Sequence, residues 1–231
     1  MCGRYVVEGV QELSERFQLT NLRFMFEPTF NAAPSELLPV IVEDESGARQ
    51  ARLMRWGLIP KWSKPGGKSI QPINARAETL REKPMFRPLL SRRRCIVPAS
   101  GFYEWRREDG AKQPYFLTTN DRTLFGFAGL YDETADPDAD GPDSAIQGSY
   151  AIITTGAHDA VAHIHDRMPV ILRPENEAAW LSQDVTNPHE IEQLMRPIAA
   201  DQMRTYPVSK AVNNVRNNRP DLVEPIEDVE S

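Results

Sequence analysis

Cys95-Ile96-Val97-Pro98, Gly101-Phe102-Tyr103-Glu104-Trp105-Arg106-Arg107, Tyr115-Phe116-Leu117-Thr118-Thr119 and Leu124-Phe125-Gly126-Phe127-Ala128-Gly129-Leu130-Tyr131 follow one another with only short polar breaks between them. Each run is rich in β-branched and aromatic residues and is bounded by turn formers, the pattern of strands. No gap is long enough to hold a crossover helix, so a mainly antiparallel sheet is expected. Outward from this block the same pattern recurs. Leu38–Val42 and Ala51–Leu58 flank a polar turn and form a hairpin; Tyr150–Thr155, Met168–Leu172 and Tyr206–Val208 are further strands, and Tyr5-Val6-Val7 is a strand at the start. Val10, Leu13 and Phe17 sit at helical spacing. Short helices are also expected from Asn74–Thr79 through about Lys83, over Phe86–Ser91, Glu175–Ser182 and Pro188–Arg196, and residues 21–36 read as a loop. Strands outnumber helices. The expected class is α+β: a single domain over residues 1–231, with a mainly antiparallel, barrel-like sheet core and peripheral helices.

The 231 residues bury enough surface for a core without staples. Two cysteines cannot make a disulfide framework, and with no signal peptide or spanning apolar run the chain is expected in the cytoplasm, as a monomer off the membrane. The acidic stretch Asp132–Ser149 reads as a surface insert and residues 221–231 as an acidic tail. Net charge is −6, yet residues 49–112 hold 16 Lys and Arg against 5 Asp and Glu. A solvated charged face would account for that excess. Its interleaving with Trp56, Trp62, Phe86 and Trp105, and the run Arg92-Arg93-Arg94, suit a groove for single-stranded nucleic acid. Trp62, in a Pro/Gly/Lys loop, is either a contact residue or a buried anchor.

Cys2 has a distinct chemistry. Removal of the initiator methionine before a small residue would leave an α-amine and a thiol on adjacent atoms, with ordinary pKa values near ~7.7–8.0 and ~8.5. Such an aminothiol condenses with an aldehyde through nitrogen and then closes through sulfur to a thiazolidine. It could instead attack an acyl group through sulfur. The following strand would hold Cys2 in place. Cys95, between apolar neighbours, reads as a small buried hydrophobe.

Strand alternation puts Phe102 and Glu104 on one face, Tyr103 and Trp105 on the other. Aromatics on both faces imply burial of both, so Glu104 is expected to be desolvated, with a pKa raised toward proton-transfer range. The plain alternative is a Glu104 paired with an arginine such as Arg76. His158, His163 and His165 lie close together, but their spacing does not suit convergent ligands, and no metal or cofactor is expected. His165, at the edge of the strand beginning at Met168, is the expected proton donor.

Taken together, Met1-Cys2-Gly3-Arg4-Tyr5, Trp56-Gly57-Leu58-Ile59-Pro60-x-Trp62, Asn74-Ala75-Arg76-Ala77-Glu78-Thr79, Arg94-Cys95-x-x-Pro98-x-x-Gly101-Phe102-Tyr103-Glu104-Trp105 and His165-Asp166-Arg167-Met168-Pro169 resemble the motifs of the SOS-response-associated peptidase family of abasic-site processing proteins. The resemblance runs from Cys2 to about Ile226. It implies binding of single-stranded DNA at an abasic site, a thiazolidine crosslink through Cys2, a lyase side branch and crosslink reversal. It further implies that Asn74 positions the sugar or the sulfur, that Glu104 moves protons at the amine and that His165 protonates the sugar ring oxygen. Arg4, Arg76 and Arg167 would hold phosphates and Trp62 would stack on the strand. Two other functions compete: a thiol peptidase acting on its own Met1–Cys2 bond, and a non-covalent single-strand binding module.

Overall fold

The computed structural model describes residues 2–226 apart from 21, 23, 64–69, 109, 122 and 134–147. The centre of the acidic insert, the end of the acidic tail, Met1 and part of the Trp62 loop therefore lie outside the described residues. In chain order the strands are β1 (Tyr5–Val7), β2 (Thr29–Ala32), β3 (Leu37–Glu43), β4 (Arg49–Trp56), β5 (Asn74–Arg76), β6 (Arg94–Ala99), β7 (Gly101–Glu108), β8 (Ala111–Thr119), β9 (Phe125–Asp132), β10 (Ser149–Gly156), β11 (Arg167–Pro169), β12 (Ile171–Leu172) and β13 (Met203–Pro207). The helices are short: α1 (Val10–Phe17), α2 (Arg87–Arg92), α3 (Asp159–Ala162), α4 (Glu177–Leu181) and α5 (Pro188–Leu194).

One sheet has the order β13-β8-β7-β1-β2. In the other, β10, β4, β3, β6 and β9 pair in turn and β9 pairs back onto β10, closing a ring. Closure removes the ring's exposed edges. Most pairings are antiparallel; β10 runs parallel to β4 and β5. The α+β class and the barrel-like sheet expected from the sequence are what the structure has. A large apolar cluster fills the ring, including Trp56, Tyr150, Phe127, Ile41 and Leu38. A smaller cluster of Val6, Tyr103, Phe116, Val208, Val212, Leu222 and Val223 lies on the other sheet, under the C-terminal segment.

Two sequence expectations differ from what is found. Residues 21–36 contain β2, which exists because it pairs with β1. The segment from Asn74 begins as β5, drawn into extended form by β10, and only a single 3₁₀ turn, Ala77–Thr79, follows. The turn into β7 needs glycine, since a β-carbon on Gly101 would sit 2.0 Å from the Phe116 ring.

Candidate active site

β1 is fixed by pairing between β2 and β7, with Tyr5 opposite Phe102 and the Tyr103 N–H donating to the Arg4 carbonyl at 3.0 Å. Continuing that antiparallel register brings Gly3 opposite Glu104 and sets Cys2 beside it. Cys2 is fully buried. Its carbonyl accepts from the Asn74 side chain at 2.8 Å, and its thiol lies 3.9 Å from the Arg4 carbonyl. Asn74 Oδ1 is buried with no hydrogen-bond partner among the described residues, an acceptor left over for a ligand hydroxyl or amine.

Glu104 is 3% exposed. Burial raises its pKa, opposed by the positive charge of the amino terminus and by His165. Burial also pushes the Cys2 thiol up, and Glu104 pushes it further, while the amino terminus pulls it down. The expected desolvated carboxylate is therefore present, and the Cys2 thiol lies within its electrostatic reach.

β10 carries the other half of the site. It pairs with β5, placing Arg76 opposite Thr154, and with β11, placing Arg167 opposite Gly156. Between β10 and β11, α3 delivers His165. Its Nδ1 accepts from the Arg167 N–H at 3.0 Å, which makes Nε2 the proton-bearing nitrogen of the neutral ring. The same Nδ1 lies 2.9 Å from the Asp166 carboxylate, a contact that becomes favourable when the ring is protonated. A cavity of about 510 Å³ opens onto Glu104 and His165 and is walled by Trp105, Arg107, Lys112 and Asn213. The four residues expected to do chemistry, Cys2, Asn74, Glu104 and His165, thus come from the segment leading into β1, from β5, from β7 and from the α3–β11 junction.

The expected DNA contacts divide. Trp62 is 71% exposed, which removes the buried-anchor alternative, and Arg76 is exposed. Arg4 donates through Nη1 to Asn31 at 2.9 Å and to the Val212 carbonyl at 3.0 Å, and Arg167 grips Glu78 at 2.8 and 2.9 Å. Both therefore have structural duties. So does Arg94: it is buried, its guanidinium feeds the carbonyls of Leu90, Trp180, Ser182 and Val185, and burial lowers its pKa to about 10. Arg52 and Arg93 both pair with Glu133. The Arg92–Arg94 run is accordingly not a groove lining as a block. Charge counting along a chain cannot tell a solvent-facing fork from one aimed at carbonyls.

Three features escaped the sequence reading. Asn31, buried, donates to the carbonyls of Val212, Asn214 and Asn217 and so fastens the C-terminal segment to β2. Asn213 on that segment accepts from the Trp105 indole at 2.7 Å. The insert's two stems hold the Trp62 loop: Asp132 accepts from the Lys61 N–H at 2.8 Å and Ser149 Oγ from the Ile59 N–H at 2.7 Å. Their separation along the chain leaves no local signal. Among the described residues no three His, Cys, Asp or Glu side chains cluster as a metal site, and no helix is long and apolar enough to cross a membrane.

The chain is similar to known proteins over most of its length. A family model described as SOS response associated peptidase (SRAP) matches residues 1–215. The chain is 41% identical over 228 residues to the abasic site processing protein YoqW of Bacillus subtilis, covering 97% of this chain and 99% of that one. It is 33% identical over 232 residues to the abasic site processing protein HMCES of Gallus gallus, covering 87% of this chain and 67% of the relative. A solved structure of a protein from Bacteroides thetaiotaomicron superposes with a TM-score of 0.84 at 27% identity, covering 98% of this chain and all of the other.

Proposed function

The chain belongs to the SOS response associated peptidase family, and from that premise we propose that it processes abasic sites in DNA by forming a covalent thiazolidine crosslink through Cys2. The observation that carries the proposal is the convergence of a buried Cys2, its carbonyl held by Asn74, with a desolvated Glu104 and with His165.

The chemistry begins once the initiator methionine is removed. His165 gives a proton to the ring oxygen as the abasic sugar opens to its aldehyde, and the proton released from the anomeric hydroxyl replaces it on the imidazole. The Cys2 amine, relieved of a proton by Glu104, adds to the aldehyde carbon, and water leaves with a proton returned by Glu104. The sulfur then adds to the imine carbon while its proton passes to nitrogen, giving thiazolidine and one water in all. A carboxyl with a raised pKa suits both directions of that traffic. If sulfur is slow, the imine can instead lose the 3′ phosphate by elimination, which is the lyase branch. Reversal runs the same steps backward. In this scheme Arg76 holds a phosphate from an exposed position, Arg4 and Arg167 do so from forks fixed by internal partners, and Trp62 stacks on a base of single-stranded DNA.

The peptidase reading asks for a thiolate, which needs a depressed pKa. Here burial and Glu104 move the thiol the other way. A non-covalent binding module would have no use for a buried carboxylate acting on the Cys2 thiol. The test is to incubate the protein with a single-stranded oligonucleotide carrying one abasic site. A heat-stable shifted band that intact DNA does not give is expected; a shift lost on heating would reject the covalent reading.

A further inference from the structure

The cavity beside Glu104 and His165 has a wall that the crosslinking chemistry leaves unused. β7 and β8 form a hairpin in which Arg107 stands directly opposite Lys112 and Trp105 opposite Pro114. Like charges facing each other across an antiparallel pair are destabilising. Both side chains are exposed, and neither forms an ion pair or hydrogen bond with any described residue. Two residues away, on the same face, Trp105 packs one side on the smaller apolar cluster while its indole N–H is pinned by Asn213. Asn213 is in turn held by the segment that Asn31 and Arg4 fasten down. The cavity thus has a fixed aromatic plane next to two cations that have no partner among the described residues, at the mouth of the catalytic pair.

We propose that Trp105, Arg107, Lys112 and Asn213 form a nucleotide subsite that takes the residue next to the abasic sugar on one side only, with its phosphodiester between Arg107 and Lys112 and its base against Trp105. A bridging phosphate removes the repulsion between the facing cations, and an indole already fixed loses little freedom on stacking. The site rests on the abasic-DNA reading and deepens it by giving the bound strand a direction.

The test uses three oligonucleotides of equal length with the abasic residue in the middle, at the 5′ end or at the 3′ end. Equilibrium binding is measured with a tetrahydrofuran analogue, which has no aldehyde, and adduct formation with the authentic abasic residue. R107Q/K112Q should bind the central oligonucleotide about 10-fold more weakly, with the slope of log K against log salt flattened by about 0.7 for each phosphate that the variant no longer neutralises. The same weakening should appear with one end-placed oligonucleotide and be absent with the other. W105L, which keeps an apolar side chain on the small cluster, should reproduce that asymmetry without changing the salt slope. Unchanged binding of the central oligonucleotide, or equal weakening with both end-placed ones, would overturn the subsite. Absence of a heat-stable adduct with any of the three in the wild type would instead reject the covalent function, and the analogue-binding asymmetry would still decide the subsite.

Discussion

Cys2 and Cys95 are both fully buried, and burial pushes both thiols up. Their surroundings otherwise differ. Cys95 lies on β6 in the barrel wall opposite Gly129, whose missing side chain leaves room for the sulfur: a β-carbon there would sit 2.9 Å from it. Burial alone acts on that thiol. Around Cys2 the same desolvation is accompanied by Glu104, the amino terminus, the Arg4 carbonyl and the Asn74 amide. Burial by itself makes an inert packing residue. What makes a buried thiol useful is the set of polar groups that neighbouring strands bring to it, together with an adjacent amine that only the second position can acquire.

Substituting the two cysteines should separate these roles most sharply. Cys2→Ala should abolish the adduct that survives both heat and borohydride, while binding to the tetrahydrofuran analogue stays within a few-fold. Cys95→Ala should leave adduct rates unchanged and cost about 1 kcal/mol from the missing sulfur, lowering the melting temperature by about 2–4 °C. A crosslinking defect in Cys95→Ala that is larger than its loss of stability would break the comparison.

Glu104→Gln should come next in size. It keeps shape and hydrogen-bonding reach but removes the proton carrier, so single-turnover crosslinking and reversal should both slow, by about 10²-fold or more. Its effect on stability should run the opposite way. Because the folded-state pKa of Glu104 is raised, its contribution to stability is fully present below the unfolded value of about 4.3 and is lost as pH rises through the folded value. At pH 7 the Gln variant should therefore melt no lower than the wild type, and any advantage should shrink toward pH 4. A variant that melts lower at pH 7 with unchanged forward and reverse rates would make Glu104 a packing residue like Cys95.

Strands β6 to β9 were legible one by one because each carries its own β-branched and aromatic signal between turn residues, but their division between two sheets, β7 with β8 and β6 with β9, was not, since pairing across the β7–β8 hairpin leaves no local signal. β2 and β5 were not, since Pro28 and Pro34 interrupt any pattern around the first, and the second is extended only because β10 pairs with it. At the site, Glu104 could be read as buried from the aromatics flanking it on both faces. Its closeness to Cys2 could not, because that depends on the register of β1 against β7. The arginines were the least legible. Arg94 and Arg76 look alike in a charge count, yet one is buried on four carbonyls and the other is exposed. Asn31, Asn213 and the Asp132 and Ser149 stems act across more than 70 residues of chain and leave no local pattern.

The most direct test of the Cys2 chemistry is intact mass spectrometry of the protein after reaction with an abasic oligonucleotide, with and without borohydride. A thiazolidine predicts the mass of the chain lacking Met1 plus the oligonucleotide minus one water, unchanged by borohydride and mapped to the N-terminal peptide. An adduct that retains Met1, gains two hydrogens on reduction or maps to a lysine would contradict the account.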